Sequence, residues 1–112
     1  MLKGARIANS IVGIRSVVGA GSELNRVVLM GGDYYESHHS ILENEMMGKP
    51  RIGIGQNTRI ENAIIDKNAR IGDNVRISPA GKPEDVDHAL YYIRDGVVII
   101  PKNGVIPHGM VI

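Results

Sequence analysis

The sequence contains no cysteine, tryptophan or phenylalanine, and four tyrosines are its only large aromatic residues. Without cysteine, the chain forms neither a disulfide framework nor a thiolate metal site. With so few rings, its core has to be built from isoleucine, valine, leucine and methionine. The longest apolar runs, such as residues 97–100, are far shorter than the ~20 residues that cross a membrane. No cleavable signal segment is recognisable, so we expect a soluble protein without membrane or nucleic-acid partners.

Charge is distributed unevenly along the chain, although the formal net charge is only +1. Residues 31–50 contain four acidic residues and one basic residue, and residues 78–92 contain three acidic residues and one basic residue. Subtracting these from the totals leaves 13 − 2 = 11 basic and 12 − 7 = 5 acidic residues, a net charge of +6 on the rest of the chain. Most of the sequence is therefore basic, and the two segments that interrupt it are acidic.

The sequence matches itself at three spacings, and all three matches align the same aliphatic positions. A shift of 71 − 54 = 17 places residues 71–77 on residues 54–60, and a shift of 99 − 64 = 35 places residues 99–112 on residues 64–77. A shift of 60 − 7 = 53 relates the start of the chain to its middle in the same way. Within each unit an aliphatic residue returns every five or six positions. The three series are Val12, Val18 and Leu24; Ile54, Ile60, Ile65, Ile71 and Ile77; and Ile100, Ile106 and Ile112.

This period matches neither an α-helix, which returns to one face every ~3.6 residues, nor a strand, which alternates its faces. A short strand and a turn, repeated three times, make a triangular coil of about 17 to 18 residues with the aliphatic side chain inside and Gly or Asn at the corner. We call one such coil a rung. The repeat predicts an all-β fold, a parallel β-helix of hexapeptide repeats. An open mixed sheet with Gly-rich turns is the alternative, but it does not explain three shifts in one phase.

Two segments break the period and are predicted to leave the coil as loop insertions, at about residues 31–51 and 78–92. The first is expected to carry a helical turn or two over residues 39–47. The second is expected to be loop, because it is acidic and rich in Pro and Gly. A tyrosine pair lies where each segment meets the coil, Tyr34–Tyr35 and Tyr91–Tyr92. We expect these rings to pack the insertions onto the coil rather than to stack on a ligand.

Three long motifs resemble one known family. They are GGDYYE at residues 31–36, IGIGQNTRIENAIIDKNARIG at residues 52–72 and YYIRDGVVIIPKNGVIPHGMVI at residues 91–112. In this order they resemble the C-terminal domain of glucose-1-phosphate adenylyltransferase, also called ADP-glucose pyrophosphorylase, of the plant and cyanobacterial type. Resemblance to the hexapeptide-repeat family implies a left-handed coil, and a length of 112 residues allows only a single domain, residues 1–112. The adenylyltransferase family makes ADP-glucose and pyrophosphate from ATP and glucose 1-phosphate with Mg²⁺, for glycogen or starch synthesis.

The resemblance implies a regulatory and oligomerisation domain. The family's catalytic centre and Mg²⁺ lie in an N-terminal nucleotide-binding domain, and no Gly-rich loop of that kind precedes the coil; residues 19–21 and 53–55 fit corners of the repeat. We therefore expect this catalytic domain to be absent from the chain, with no catalytic residue, no cofactor and no activity of its own. The implied partners are the catalytic domain, further subunits of a homo- or hetero-oligomer (a tetramer in the family) and a phosphorylated effector. The implied location is the cytoplasm, or the plastid in a plant or alga.

Two lysines form the candidate binding site. The numbers of Lys67 and Lys102 differ by 102 − 67 = 35, and removing the second insertion leaves 35 − 15 = 20, about one rung. Adjacent strands lie ~4.8 Å apart, so both ammonium groups should project from one face, where an anion takes donors from both. In the family, the corresponding lysines bind the allosteric activator, typically 3-phosphoglycerate in photosynthetic members. Pro101 and Pro107–His108 depart from the family pattern, which leaves the effector open, and solvated surface lysines are the alternative.

The alternative functions for a chain of this fold depend on histidine residues. His38, His39, His88 and His108 lack metal-ligand spacing, so we expect no metal site. A stand-alone hexapeptide-repeat acyltransferase would be a trimer with a histidine base at the subunit interface, and a γ-class carbonic anhydrase would use three interfacial histidines to bind zinc. Neither histidine pattern is recognisable. A binding scaffold without enzymatic activity also remains open.

Overall fold

The computed structural model describes residues 4–112, which form mostly short strands and one helix. Residues 1–3, which the predicted single domain includes, lie outside the described residues. The elements are β1 (Arg6–Ala8), β2 (Ile11–Val12), β3 (Glu23–Leu29), α1 (His38–Met46), β4 (Gly53–Ile54), β5 (Arg59–Ile65), β6 (Arg70–Ile71), β7 (Arg76–Ile77), β8 (Val86–Asp87), β9 (Tyr92–Arg94), β10 (Val97–Ile100) and β11 (Val105–Ile106). Between residues 4 and 112, no helix is long and apolar enough to span a membrane.

Parallel pairing between rungs follows the spacings found in the sequence. In the larger sheet, Leu24 lies between Ile7 and Ile60, and the differences 24 − 7 = 17 and 60 − 24 = 36 sum to 53. Ile65 pairs with Ile100, which gives 100 − 65 = 35. Strands β4, β6 and β11 form a second parallel sheet in the same phase. The predicted parallel β-sheet of stacked repeats is therefore confirmed, because one aliphatic position per strand fixes the register.

The core is an aliphatic column inside the rungs. Ile60, Val98, Ile100 and Ile106 are fully buried, and most of the remaining core consists of isoleucine, valine and leucine from equivalent positions. At one corner the rungs approach so closely that a Cβ added to Gly55 would lie 2.6 Å from the backbone of the next rung. Glycine at this position permits the close stacking that brings the aliphatic side chains into contact.

The corners use left-handed backbone. Asn57 and Asn74 occupy one corner on successive rungs, with φ of 53° and 58°, and asparagine tolerates this conformation better than most residues. At a second corner, Asn9 and Asn62 have similar angles, but the rung between them places Arg26 there, with φ 56°. Arginine lacks the short polar side chain that eases this conformation, so this corner is locally strained.

We expect Arg26→Asn to raise the free energy of unfolding by about 0.5 to 1 kcal/mol, because it relieves this backbone cost. Urea unfolding measures the change. The control is Arg76→Asn, the same substitution at an exposed position of strand β7, where asparagine is mildly unfavourable and no gain is expected. Equal effects at the two positions would contradict the interpretation.

The first segment that breaks the period contains the predicted helix. Helix α1 (His38–Met46) begins one residue before the predicted range, and the Ser37 hydroxyl caps it by accepting from the Ser40 N–H at 3.1 Å. The helix buries no residue. Tyr34 and Tyr35 are 53% and 59% exposed and line an open cavity together with Arg15 and Val17 of the coil, so the packing expected of these two rings stays a prediction. Other contacts, described below, hold the segment.

The second segment is not loop throughout, as its composition had suggested. Strand β8 pairs antiparallel with β9, which pairs antiparallel with β10, so a short hairpin extends the sheet. Val86 lies opposite the fully buried Ile93, and this apolar pair outweighs the surrounding Pro, Gly and acidic residues. The packing expected of the second tyrosine pair is confirmed for Tyr91, which is buried and stacks on His88 with ring centroids 4.5 Å apart.

Candidate anion-binding site

The two candidate lysines occupy equivalent positions on adjacent rungs. Ile65 pairs with Ile100, and just beyond this pair the Asn103 N–H donates to the Lys67 carbonyl at 3.0 Å. Both Lys67 and Lys102 are exposed. The stacking of the rungs, rather than any direct contact, therefore places two cationic side chains on one side of the coil.

An acidic residue that sequence analysis did not select lies beside them. Asp33 Oδ1 is 3.5 Å from the Lys67 Nζ. The Asn68 side chain holds Asp33 in two ways, accepting its backbone N–H at 2.9 Å and donating to its Oδ2 at 3.1 Å. Asn68 itself is positioned by its own N–H, which donates to the Gly31 carbonyl at 3.2 Å. The site thus spans three rungs.

The electrostatics of the site centre on the Asp33 carboxylate. The hydrogen bond from Asn68 lowers the pKa of Asp33, partial desolvation opposes this, and the positive charges of Lys67 and Lys102 lower it further. Both lysines therefore act on one carboxylate, although Lys102 lies one rung farther along. Asp33 lies where the period is broken. Residues paired across its segment differ by 65 − 29 = 36, whereas Asp33 and Asn68 differ by 68 − 33 = 35, so no register in the sequence identified Asp33.

A second charged cluster anchors the segment that carries Asp33. The Glu36 carboxylate, only 5% exposed, accepts from Arg70 Nη1 at 3.0 Å, from the Asn44 side chain at 3.0 Å and from the Ile52 N–H at 2.6 Å. Arg70 also donates to the Pro50 carbonyl at 2.9 Å. Burial alone raises the pKa of Glu36, but the Ile52 N–H, Arg70 and Asn44 together lower it below its usual value. These bonds join both ends of the segment to the coil.

The histidines lie apart from this site and have local roles. His39 pairs with Glu43 at 3.0 Å on helix α1, and His108 Nδ1 accepts from the Asp73 N–H at 2.7 Å at a corner. Within residues 4–112, no group of three His, Cys, Asp or Glu side chains is arranged to hold a metal ion. The absence of a metal cofactor stays a prediction.

Comparison with known proteins adds two findings. Residues 1–111 match the family model described as the GLGC left-handed parallel beta-helix domain. The chain is also 44% identical, over 114 residues, to glucose-1-phosphate adenylyltransferase large subunit 1, chloroplastic/amyloplastic, of Zea mays. This alignment covers 100% of the chain but 22% of the maize protein, so the chain spans about a fifth of this relative's length. The family resemblance of the three motifs is thereby confirmed.

Proposed function

Because the chain belongs to the GLGC left-handed parallel β-helix domain family, we propose that it is the regulatory and oligomerisation domain of a glucose-1-phosphate adenylyltransferase. The relative is by name a subunit of a larger assembly, and most of its length lies outside the matched region. The transfer of the adenylyl group from ATP to glucose 1-phosphate, and the Mg²⁺ it requires, belong to a catalytic domain outside the chain described above. The partners are that domain and the other subunits, in a plastid or in the cytoplasm.

In this proposal, two insertions lie between complete coils of a left-handed helix, at residues 31–51 and 78–92. The spacing of paired rungs supports this. Where no segment intervenes, the numbers of paired residues differ by 77 − 60 = 17, as for Ile60 and Ile77. Where the second segment intervenes, the numbers of paired residues differ by 100 − 65 = 35. The excess across the second segment, 35 − 17 = 18, is close to its 15 residues, and the excess across the first, 36 − 17 = 19, is close to its 21 residues.

Lys67 and Lys102 bind the phosphate of an activating metabolite in this proposal. The observation that carries it is their equivalent position on adjacent rungs, with one carboxylate responding to both charges. Two ammonium groups ~5 Å apart repel each other only weakly in water, and an anion between them reverses the sign of the interaction. A phosphate has enough oxygen acceptors for donors from both lysines.

Lys67→Ala and Lys102→Ala are each expected to raise the activator concentration needed for half-maximal activation about tenfold, since each removes one charge-assisted hydrogen bond of about 1.4 kcal/mol. Turnover without activator should change little, because neither lysine is part of the catalytic domain. The measurement is ADP-glucose synthesis by the protein as its gene encodes it, with phosphorylated metabolites added at increasing concentration.

The double variant should lose less than the sum of the two single losses, because either substitution already unbalances the shared anion. Lys49→Ala serves as the control, since Lys49 is an exposed lysine of the first acidic segment. Full activation in both single variants would show that the lysines are solvated residues of the scaffold, and strictly additive losses in the double variant would show that they do not share one anion.

A further inference from the structure

A carboxylate of the protein itself lies beside the candidate lysine pair. The Asp33 carboxylate has two oxygens with different partners: Oδ2 accepts from the Asn68 amide at 3.1 Å, and Oδ1 lies 3.5 Å from the Lys67 ammonium. The side chains of Asp33 and Lys67 are 45% and 47% exposed, so water and dissolved anions reach both. The carboxylate therefore lies at one of the positions beside the Lys67 ammonium that a phosphate oxygen could take, and it has the same sign of charge as the phosphate.

We propose that Asp33 is a built-in competitor of the activating anion, which weakens phosphate binding at Lys67 and Lys102 and thereby sets the concentration at which the site fills. This inference rests on the proposed function of the two lysines. It deepens that function by giving a residue of the opposite charge the role of setting the affinity of the site.

The geometry keeps the competitor in place whether or not an anion is bound. Asp33 is held by its backbone N–H and by Oδ2, both on Asn68, and neither bond involves a lysine. Asn68 is 9% exposed and is fixed in turn by its bond to the Gly31 carbonyl. When an anion takes the Lys67 ammonium, Asp33 stays within a few ångströms and repels it.

The size of the effect follows from charge. With Asp33 the site carries two positive charges and one negative charge, a net of +1, and without the carboxylate it carries +2. An exposed charge pair contributes little on its own, but a phosphate dianion interacts with the missing charge twice as strongly as a monoanion does. Removing the carboxylate should therefore tighten phosphate binding by roughly fivefold, and binding of a monoanion by about twofold.

Asp33→Asn is the matched variant, because the amide oxygen of asparagine can still accept from Asn68 while the charge is gone. The experiment titrates inorganic phosphate, at a pH where it is a dianion, into the gene-encoded protein and into this variant by calorimetry. Acetate is the monoanion for comparison. We expect a roughly fivefold lower dissociation constant for phosphate in the variant, and a difference from the original protein that shrinks as salt is added.

Two further variants separate the causes. Asp85→Asn removes an exposed carboxylate of the second acidic segment, and unchanged phosphate affinity there excludes a simple effect of net charge. Asp33→Asn combined with Lys67→Ala should gain less phosphate affinity over Lys67→Ala than Asp33→Asn gains over the original protein, because part of the competition is for the Lys67 ammonium. An unaltered thermal unfolding temperature of Asp33→Asn without phosphate shows that the fold is intact.

The outcomes distinguish the competitor from the site itself. If phosphate binds and either lysine substitution weakens it, while Asp33→Asn leaves its affinity unchanged or lowers it, the competitor role is overturned and the lysine site stands. If neither the original protein nor Asp33→Asn binds phosphate, both proposals are overturned. If Asp33→Asn lowers the activator concentration for half-maximal activation in proportion to its tighter phosphate binding, the role in setting the threshold is supported.

Discussion

Replacing Gly55 with alanine is expected to lower the free energy of unfolding by about 3 kcal/mol, at the upper end of what overpacking costs. The new Cβ would lie 2.6 Å from both the carbonyl carbon and the carbonyl oxygen of Gly72, on the next rung. These are backbone atoms that cannot rotate away. Relief requires the rungs to separate, which weakens the bond from the Gly55 N–H to the Ile71 carbonyl, now 2.9 Å long.

Gly32→Ala is the matched control for this substitution. Like Gly55, Gly32 lacks a positive φ, so alanine meets no backbone strain at either position. Its added Cβ comes no closer than 3.1 Å, to the Tyr34 carbonyl oxygen, which lies in a segment outside the stacked rungs. Urea unfolding of the two variants should therefore separate by about 2 kcal/mol. Equal losses would mean that the rungs adjust easily and that close stacking at Gly55 is unimportant.

Replacing Glu36 with alanine is expected to cost about 3 kcal/mol, because it leaves a buried cation without its carboxylate. The Arg70 side chain is only 13% exposed, so water replaces the lost partner poorly. The Ile52 N–H loses its acceptor at the same time, which adds a desolvation cost. Residues 37–52 should then become susceptible to proteolysis while the parallel strands keep their circular-dichroism signal, since this contact joins the segment to the coil.

The same carboxylate makes stability depend on pH. Because the pKa of Glu36 is lower in the folded protein than its ordinary value of 4.5, the unfolded chain binds its proton first as the pH falls. The stabilisation is complete above 4.5 and is lost as the pH falls through the lower, folded-state pKa. Glu36→Gln should flatten this acid limb of the stability curve. Glu43→Gln, an exposed carboxylate on helix α1, should leave it unchanged.

The arrangement of the rungs was predictable because it depends on one aliphatic residue per strand. The shift of 17 found in the sequence recurs as the pairing of Ile7 with Leu24. The shift of 53 recurs as the distance from Ile7 to Ile60, which pairs with Leu24 on its other side. The same phase predicted that Lys67 and Lys102 would occupy equivalent positions. Equivalent residues of a repeat occupy equivalent places on successive rungs, so the register of the strands can be predicted without knowledge of any individual contact.

The contacts of the acidic segments were not predictable in this way. Asp33 and Glu36 lie where the period is broken, and their partners are set by folding of the segment back onto the coil. The Glu36 carboxylate takes one of its bonds from a backbone N–H, that of Ile52, and no side-chain pattern reveals such a partner. The hairpin of β8 and β9 was missed because a two-residue strand carries too little periodicity to outweigh Pro and Gly.

The pairing of Ile60 with Ile77, one complete rung later, also limits how the length of this chain can change. Duplication or deletion of a whole rung joins equivalent positions, so the aliphatic side chains still point inward and each corner still falls at the same place in the repeat. Loss of a single residue within a strand turns the following side chains to the opposite face. Viable variants of this architecture should therefore differ by complete turns in the coil, and by other lengths only where no strand pairs between rungs, as around the exposed helix α1.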